Sequence, residues 1–126
     1  MAKGLSPTQR TLRELRRMGR TCAIAEKWQA IPNHPGGGVR KDLFGFIDII
    51  SLDPKRGIGA IQSCGQNFSA HIQKIKNSEC TEAVTEWLLC GGGLEVWGWR
   101  KLKRKRGGKA MVWRPRVQAI TVEDLL

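Results

Sequence analysis

Asp42-Leu-Phe-Gly-Phe-Ile-Asp48-Ile-Ile-Ser-Leu52 and, a turn later, Ile58-Gly-Ala-Ile-Gln62-Ser-Cys64-Gly65 read as two adjacent β-strands. Each is a short apolar run with β-branched residues, and Asp53-Pro54-Lys55-Arg56-Gly57 between them has the composition of a turn. An acid, Asp48, heads Ile49-Ile50 in the first run, while the second breaks from apolar residues into Gln62-Ser63-Cys64. Antiparallel pairing brings Asp48 and Gln62 to the same end of the ladder, so that a carboxylate and an amide oxygen converge. A carboxylate buried without a partner is costly. From spacing alone two compensations are open: one of the chain's many arginines, or a divalent cation such as Mg²⁺, which takes oxygen ligands.

The 126 residues suffice for one domain, 1–126, with a single modest core. Lys and Arg number 22 against 11 Asp and Glu, a net charge of +11. Such an imbalance calls for an anionic partner, and nucleic acid is the commonest one for a globular domain. A spanning helix needs about 20 apolar residues, and no run approaches that length, so no membrane partner is expected. Met1-Ala-Lys-Gly-Leu-Ser-Pro7 lacks the apolar core of a signal peptide, which predicts a cytoplasmic protein. Cys22, Cys64, Cys80 and Cys90 contain no C-x-x-C pair. Even with His34 and His71 the spacing does not describe a zinc site, and the four read as thiols of a reducing compartment.

Toward the N-terminus, Ser6-Pro7-Thr8-Gln9 is a helix start, with Ser as N-cap, Pro at the first helical position and Gln able to close a capping box. The helix is expected to run to about Met18, with Leu12 and Leu15 on its apolar face, and to stop at Gly19. Arg10, Arg13, Arg16 and Arg17 occupy its other faces, where they meet phosphate or simply solvent. Over 21–28 the period falls to two, which predicts a strand with Cys22, Ile24 and Glu26 on one face. Glu26 at its end is either a solvated acid or a third oxygen ligand beside Asp48 and Gln62. Pro32-Asn-His-Pro-Gly-Gly-Gly-Val-Arg-Lys41 predicts an irregular loop, flexible over 33–41, that a polyanion on Arg40 and Lys41 could order.

Toward the C-terminus, Phe68, Ile72 and Ile75 predict a helix over 69–76 with His71, Lys74 and Lys76 on its other faces. Ala83, Val84, Trp87 and Leu88 predict a second over 81–90, with their stripe in the core, closed by Gly91-Gly92-Gly93. Residues 94–101 and 110–117 then flank Lys103-Arg-Lys-Arg-Gly-Gly108, a second hairpin with a basic tip at 103–108. Each phosphate that such cations meet on duplex DNA adds a salt dependence of slope about −0.9. Trp97, Trp99 and Trp113 either stack on bases or pack against helices. Ile120-Thr-Val-Glu-Asp-Leu-Leu126 is a short acidic end, an edge strand or a dimer contact.

The order helix, strand, two-stranded hairpin, two helices and two further strands predicts an α/β domain with a central mixed sheet flanked by helices. Along that order, Glu26-Lys-Trp28, Arg40-Lys-Asp-Leu-Phe-Gly-Phe-Ile-Asp48, Ala60-Ile-Gln62 and Val96-Trp-Gly-Trp-Arg-Lys101 resemble the core of the PD-(D/E)XK nucleases. The likeness is greatest to the archaeal-type Holliday junction resolvases and their phage-encoded relatives, and covers about residues 8–117. It implies a restriction-endonuclease-like core in which Glu26, Asp48 and Gln62, with the backbone carbonyl of Ser63, hold Mg²⁺, Mn²⁺ being an allowed substitute. In the family pattern the second strand ends in an acid, any residue and a lysine, and here the acid and lysine positions are Gln62 and Cys64. Glutamine still offers an oxygen, whereas a thiol supplies no ammonium. Lys74 is then the first candidate for the missing cation and Lys41 the second, and Asp42 is an alternative ligand to Asp48.

The resemblance further implies a structure-selective endonuclease that resolves four-way DNA junctions in recombination and repair by metal-assisted phosphodiester hydrolysis. It would act as a two-fold homodimer in the cytoplasm, that of the host if the chain is phage-encoded. Arg10, Arg13, Arg40, Lys41, Lys103, Arg104, Lys105 and Arg106 are the expected DNA contacts, to the backbone more than to bases. Two alternatives stay open. One is a nuclease-fold protein that binds branched DNA without cutting it, favoured by Gln62 and Cys64; the other is an RNA-binding module whose basic hairpin is the main site.

Overall fold

The computed structural model describes residues 4–126. Ser6 opens α1 (Pro7–Arg17): its hydroxyl accepts the Gln9 N–H while the Gln9 side chain accepts the Ser6 N–H, and Gly19, at φ 85°, ends it. Six elements follow: β1 (Thr21–Ile24), β2 (Lys27–Ala30), β3 (Gly38–Lys41), β4 (Ile49–Asp53), β5 (Gly57–Cys64) and α2 (Phe68–Lys76). The chain closes with α3 (Thr81–Leu89), β6 (Gly93–Lys103), β7 (Met111–Ala119) and a 3₁₀ turn, Val122–Leu125. Five strands form one mixed sheet in the order β1-β4-β5-β6-β7, and β2 and β3 form a separate antiparallel ribbon. Among the described strands only β5 and β6 are parallel, and a parallel pair needs a crossover, which α2 and α3 supply.

The sheet separates two apolar layers. On one face α1 packs Leu12 and Leu15 against Ile49, Ile61, Trp97 and Trp99; on the other, α2 and α3 pack Phe68, Ile72, Ile75 and Val84 against Ala60 and Val96. Complete burial of Leu15 or Ile49 contributes about 1.5–3 kcal/mol each. Period-two alternation along β5 sends Ile61 and Ser63 to the α1 face and Ala60, Gln62 and Cys64 to the α2 face. Thr11, fully buried on α1, ties the first layer together: its hydroxyl accepts the Trp99 indole N–H at 2.8 Å and meets the Ser63 hydroxyl at 3.0 Å.

Several expected elements are divided differently. The strand expected over 21–28 is two: β1 ends at Ile24, and the chain leaves the sheet through Ala25 and Glu26 to enter β2. The expected flexible loop over 33–41 is a hairpin flap, because Gly38–Lys41 pairs with Lys27–Ala30 as β3. Gly38 permits this, since a Cβ there would run into the Gln29 carbonyl. The stretch 42–52 is not one strand either: residues 42–48 form their own tight hairpin and only Ile49–Asp53 enters the sheet. The stripe of α3 is looser than expected, with Val84 buried and Ala83, Trp87 and Leu88 half-buried. The acidic end is not an edge strand, because Thr121 and Asp124 cap the closing 3₁₀ turn.

At Gly98 on β6 an added Cβ would strike the Phe68 ring of α2. Gly98→Ala is therefore expected to cost about 1–3 kcal/mol, the range for overpacking a filled core, in urea unfolding with an unchanged m-value. Wild-type stability in that variant would show that α2 does not seat on β6 through this contact.

Candidate functional site

Three short ladders converge on one point, and their registers explain why. The flap pairs Lys27 with Lys41, so the next residues outward are Glu26 and Asp42. Leu43 and Ile47 bridge across a tight turn in which Phe44 and Gly45 take positive φ, which sets Asp42 opposite Asp48. β4 pairs Ile49 with Ile61, so Asp48 lies opposite Gln62. As a result Glu26, Asp42 and Asp48 each bring a carboxylate oxygen within 4.8 Å of the others.

Asp48 is the centre of the group. Its N–H donates to the Ile61 carbonyl at 3.0 Å, its carbonyl accepts the Ala25 N–H at 2.8 Å, and its Oδ2 accepts the Ser63 N–H at 2.7 Å. Its residual exposure is 6%. Burial first, then the Asp42 carboxyl hydrogen-bonded to it and the charge of Glu26, push its pKa up to about 8, against the lowering effect of the Ser63 N–H. No Lys or Arg lies within ion-pair distance of Asp48 among the described residues, so the arginine compensation left open by spacing is not made there. Arg40 pairs instead with Glu26, at 2.9 Å. The buried Arg20 serves Glu95 and Asp53, away from the cluster.

The sites anticipated from sequence divide clearly. Glu26 and Asp48 come together, and Asp42, the alternative, joins them rather than replacing Asp48. Gln62 is 1% exposed, and neither its Oε1 nor its Nε2 has a hydrogen-bond partner among the described residues. A fully buried, unpaired amide on the strand position facing Asp48 is the kind of group that a bound ion or water explains. Ser63 contributes through its N–H, while its hydroxyl turns away to Thr11. Cys64 is a buried thiol that burial first, and the Asp48 charge second, push up to about 11, with Arg116 opposing. It is a neutral group at neutral pH.

Lys74 is exposed on α2 and makes no ion pair with Glu26, Asp42 or Asp48 among the described residues. Its charge acts on His71, whose pKa is lowered by burial first and Lys74 second, against Asp42. His71 keeps its Nδ1 buried and unpartnered among the described residues, within electrostatic reach of Asp42. Sequence periodicity placed His71 on a polar helix face and could not show this. Asp42 had a readable signal: the turn-forming Phe44-Gly45 lies near the midpoint between two acids, so a tight hairpin makes them neighbours.

Among the expected nucleic-acid contacts, Arg13, Lys41 and Lys103 to Arg106 are exposed. Arg10 is half-buried, its guanidinium 4.2 Å from the Trp113 ring centre, with Lys101 5.9 Å from the same ring. Trp97 and Trp99 are buried in the α1 layer and cannot stack on bases; of the three expected to stack or pack, Trp113 is exposed, and Trp28 on the flap is exposed as well. Among the described residues no helix is long and apolar enough to cross a membrane. Comparison of the chain with protein-family models, with curated proteins and with solved structures finds no match.

The raised pKa of Asp48 has a thermodynamic consequence with a definite sign. Between about pH 4, where the unfolded carboxylate titrates, and about pH 8, where the folded one does, the folded state holds more protons, so stability falls as pH rises. Asp48→Asn is expected to flatten that fall, making the variant the more stable protein at pH 8 in EDTA by on the order of 1–3 kcal/mol. Mn²⁺ is expected to raise the wild-type Tm and leave that of Asp48→Asn nearly unchanged. Parallel pH profiles of stability for the two proteins would contradict this account of the cluster.

Proposed function

We propose that the chain is a metal-dependent endonuclease that nicks branched DNA, with a four-way junction as its substrate and two copies acting as a homodimer on opposed strands. The observation that carries this reading is the meeting of three carboxylates within 4.8 Å in a protein whose net charge is +11. Such a cluster repels a polyanion unless a cation stands between them, and a phosphodiester is the ligand that both the cation and the basic surface would share. Carboxylates and an amide oxygen are hard donors, which suits Mg²⁺ or Mn²⁺ better than zinc. Held there, such an ion supplies Lewis-acid polarisation of the scissile phosphate and a bound water of lowered pKa.

The chain's own groups divide the remaining tasks. Glu26, Asp42 and Asp48 would hold the ion, with the orphan amide of Gln62 presented from the neighbouring strand. The Ser63 N–H fixes one oxygen of Asp48 and so orients the carboxylate. Cys64, neutral and buried, adds no charge. Cationic support for the phosphate therefore falls to Lys74 on α2, or to Lys27 and Lys41 at the foot of the flap, which are the sequence neighbours of Glu26 and Asp42.

A second reading, a protein that binds branched DNA without cutting it, is favoured by Cys64, which stands where the resemblance expects an ammonium. Incubation of a labelled four-way junction and a matched linear duplex with Mg²⁺, Mn²⁺ or EDTA separates the two. Junction-selective nicking is expected with either metal, absent in EDTA and reduced more than ~100-fold in Asp48→Asn, since even outer-shell changes at metal sites cost 10- to 100-fold. Tight junction binding with no cutting in any metal would establish the second reading instead.

A further inference from the structure

On β6 and β7, Arg100 and Arg114 are direct cross-strand partners. Both are exposed, and neither has an acidic partner among the described residues. Like charges placed directly opposite on one face destabilise a sheet. The arrangement is also mechanically exposed: the last pair between β5 and β6 is Cys64 with Gly98, so beyond it β6 and β7 continue as a two-stranded ribbon.

The face on which these arginines stand is set by their neighbours. Gly98 faces the Phe68 ring of α2, and its partner Arg116 places its guanidinium 4.2 Å from that ring's centre. Arg100 lies two residues beyond Gly98, and Arg114 two before Arg116, so both share the α2 face. Trp113, between Arg114 and the ribbon's outer residues, turns to the opposite face and meets Arg10 of α1. Cys64, Gly98 and Arg116 form one row across the sheet, which spans roughly 10 Å from the first to the last backbone. The Cys64 thiol lies within electrostatic reach of both Asp48 and Arg116. Arg116 thus stands two strands from Cys64, and Arg100 and Arg114 continue outward along the ribbon, all on the cluster's own side of the sheet.

We propose that Arg100, Arg114 and Arg116 form a phosphate track that seats the backbone of one DNA strand on the α2 face of the β6–β7 ribbon and leads it to the carboxylate cluster. Charge complementarity selects the occupant: a repulsive, unpaired arginine pair is relieved by an anion that bridges it, and the backbone of a strand offers phosphates in series. The inference rests on the reading of the partner as DNA, and it is independent of whether the cluster cuts. The basic tip at 103–106 is a different surface, at the far end of the ribbon.

Arg100→Gln with Arg114→Gln tests it by fluorescence anisotropy with a labelled four-way junction, in EDTA so that nothing is cut, over 50 to 200 mM salt. Two lost phosphate contacts lower the slope of log K against log salt by about 1.8. Wild type therefore loses about 12-fold more affinity than the variant over that fourfold range. At low salt the variant's Tm is expected to rise by about 1–4 °C as the like-charge pair disappears. Each single change, and Arg116→Gln, is expected to lower the slope by about 0.9, which keeps the test intact should the double variant fold poorly. An unchanged slope in folded variants overturns the track and leaves the DNA partner standing. Absence of salt-dependent junction binding by wild type overturns the partner as well.

Discussion

The buried carboxylate of Asp48 is the constraint around which the rest of the molecule is arranged. A charge at that depth needs compensation, yet its immediate neighbours are two more carboxylates and a single backbone N–H. The surrounding main chain is committed to the arrangement. Asp48 is hydrogen-bonded by its backbone to the chain on both sides, Ala25 beyond β1 and Ile61 on β5, so its main chain is fixed where β4 begins. The repulsion is therefore built in, and burial together with it pushes the Asp48 pKa up to about 8.

The way the chain is cut into short elements follows from that point. A continuous strand over 21–28 would carry Glu26 along the sheet edge; the break at Ala25 and Glu26 instead turns the acid toward Asp42 at the foot of the flap. A continuous strand over 42–52 would place Asp42 about 20 Å from Asp48 at the rise of an extended chain; the tight Phe44-Gly45 turn folds the two together, with Phe46 and Ile47 fully buried as its anchor. Local backbone strain at Phe44, whose φ is 56°, is the cost of that turn.

Charge elsewhere on the protein has the opposite sign and a different logic. The ribbon formed by the ends of β6 and β7 carries cations on both faces, and its tip adds four more in sequence, with no acid from residue 96 to 122. Outside the cluster, Glu14 pairs with Arg17, and Asp53 and Glu95 share Arg20 and Arg56. What remains is a domain of net positive charge, with cations exposed along the ribbon and three carboxylates meeting in one compact site. Under the proposed function, these are the surface that gathers the polyanion and the site that holds the metal.

The amino-acid sequence by itself determined the class of fold, an α/β domain with a mixed sheet between helices, because apolar periodicity and turn chemistry act over a few residues. It likewise determined the capped first helix, the Asp48 and Gln62 juxtaposition across a hairpin, and the cationic character of the surface. The tertiary structure alone decided which residues share the site. Asp42 and Glu26 reach Asp48 through the registers of three separate ladders, which no local pattern specifies. It also decided that Trp97 and Trp99 are core, and that Arg100 stands opposite Arg114. Strand pairing joins residues far apart in the chain, and a shift of one residue would turn each of these side chains to the other face.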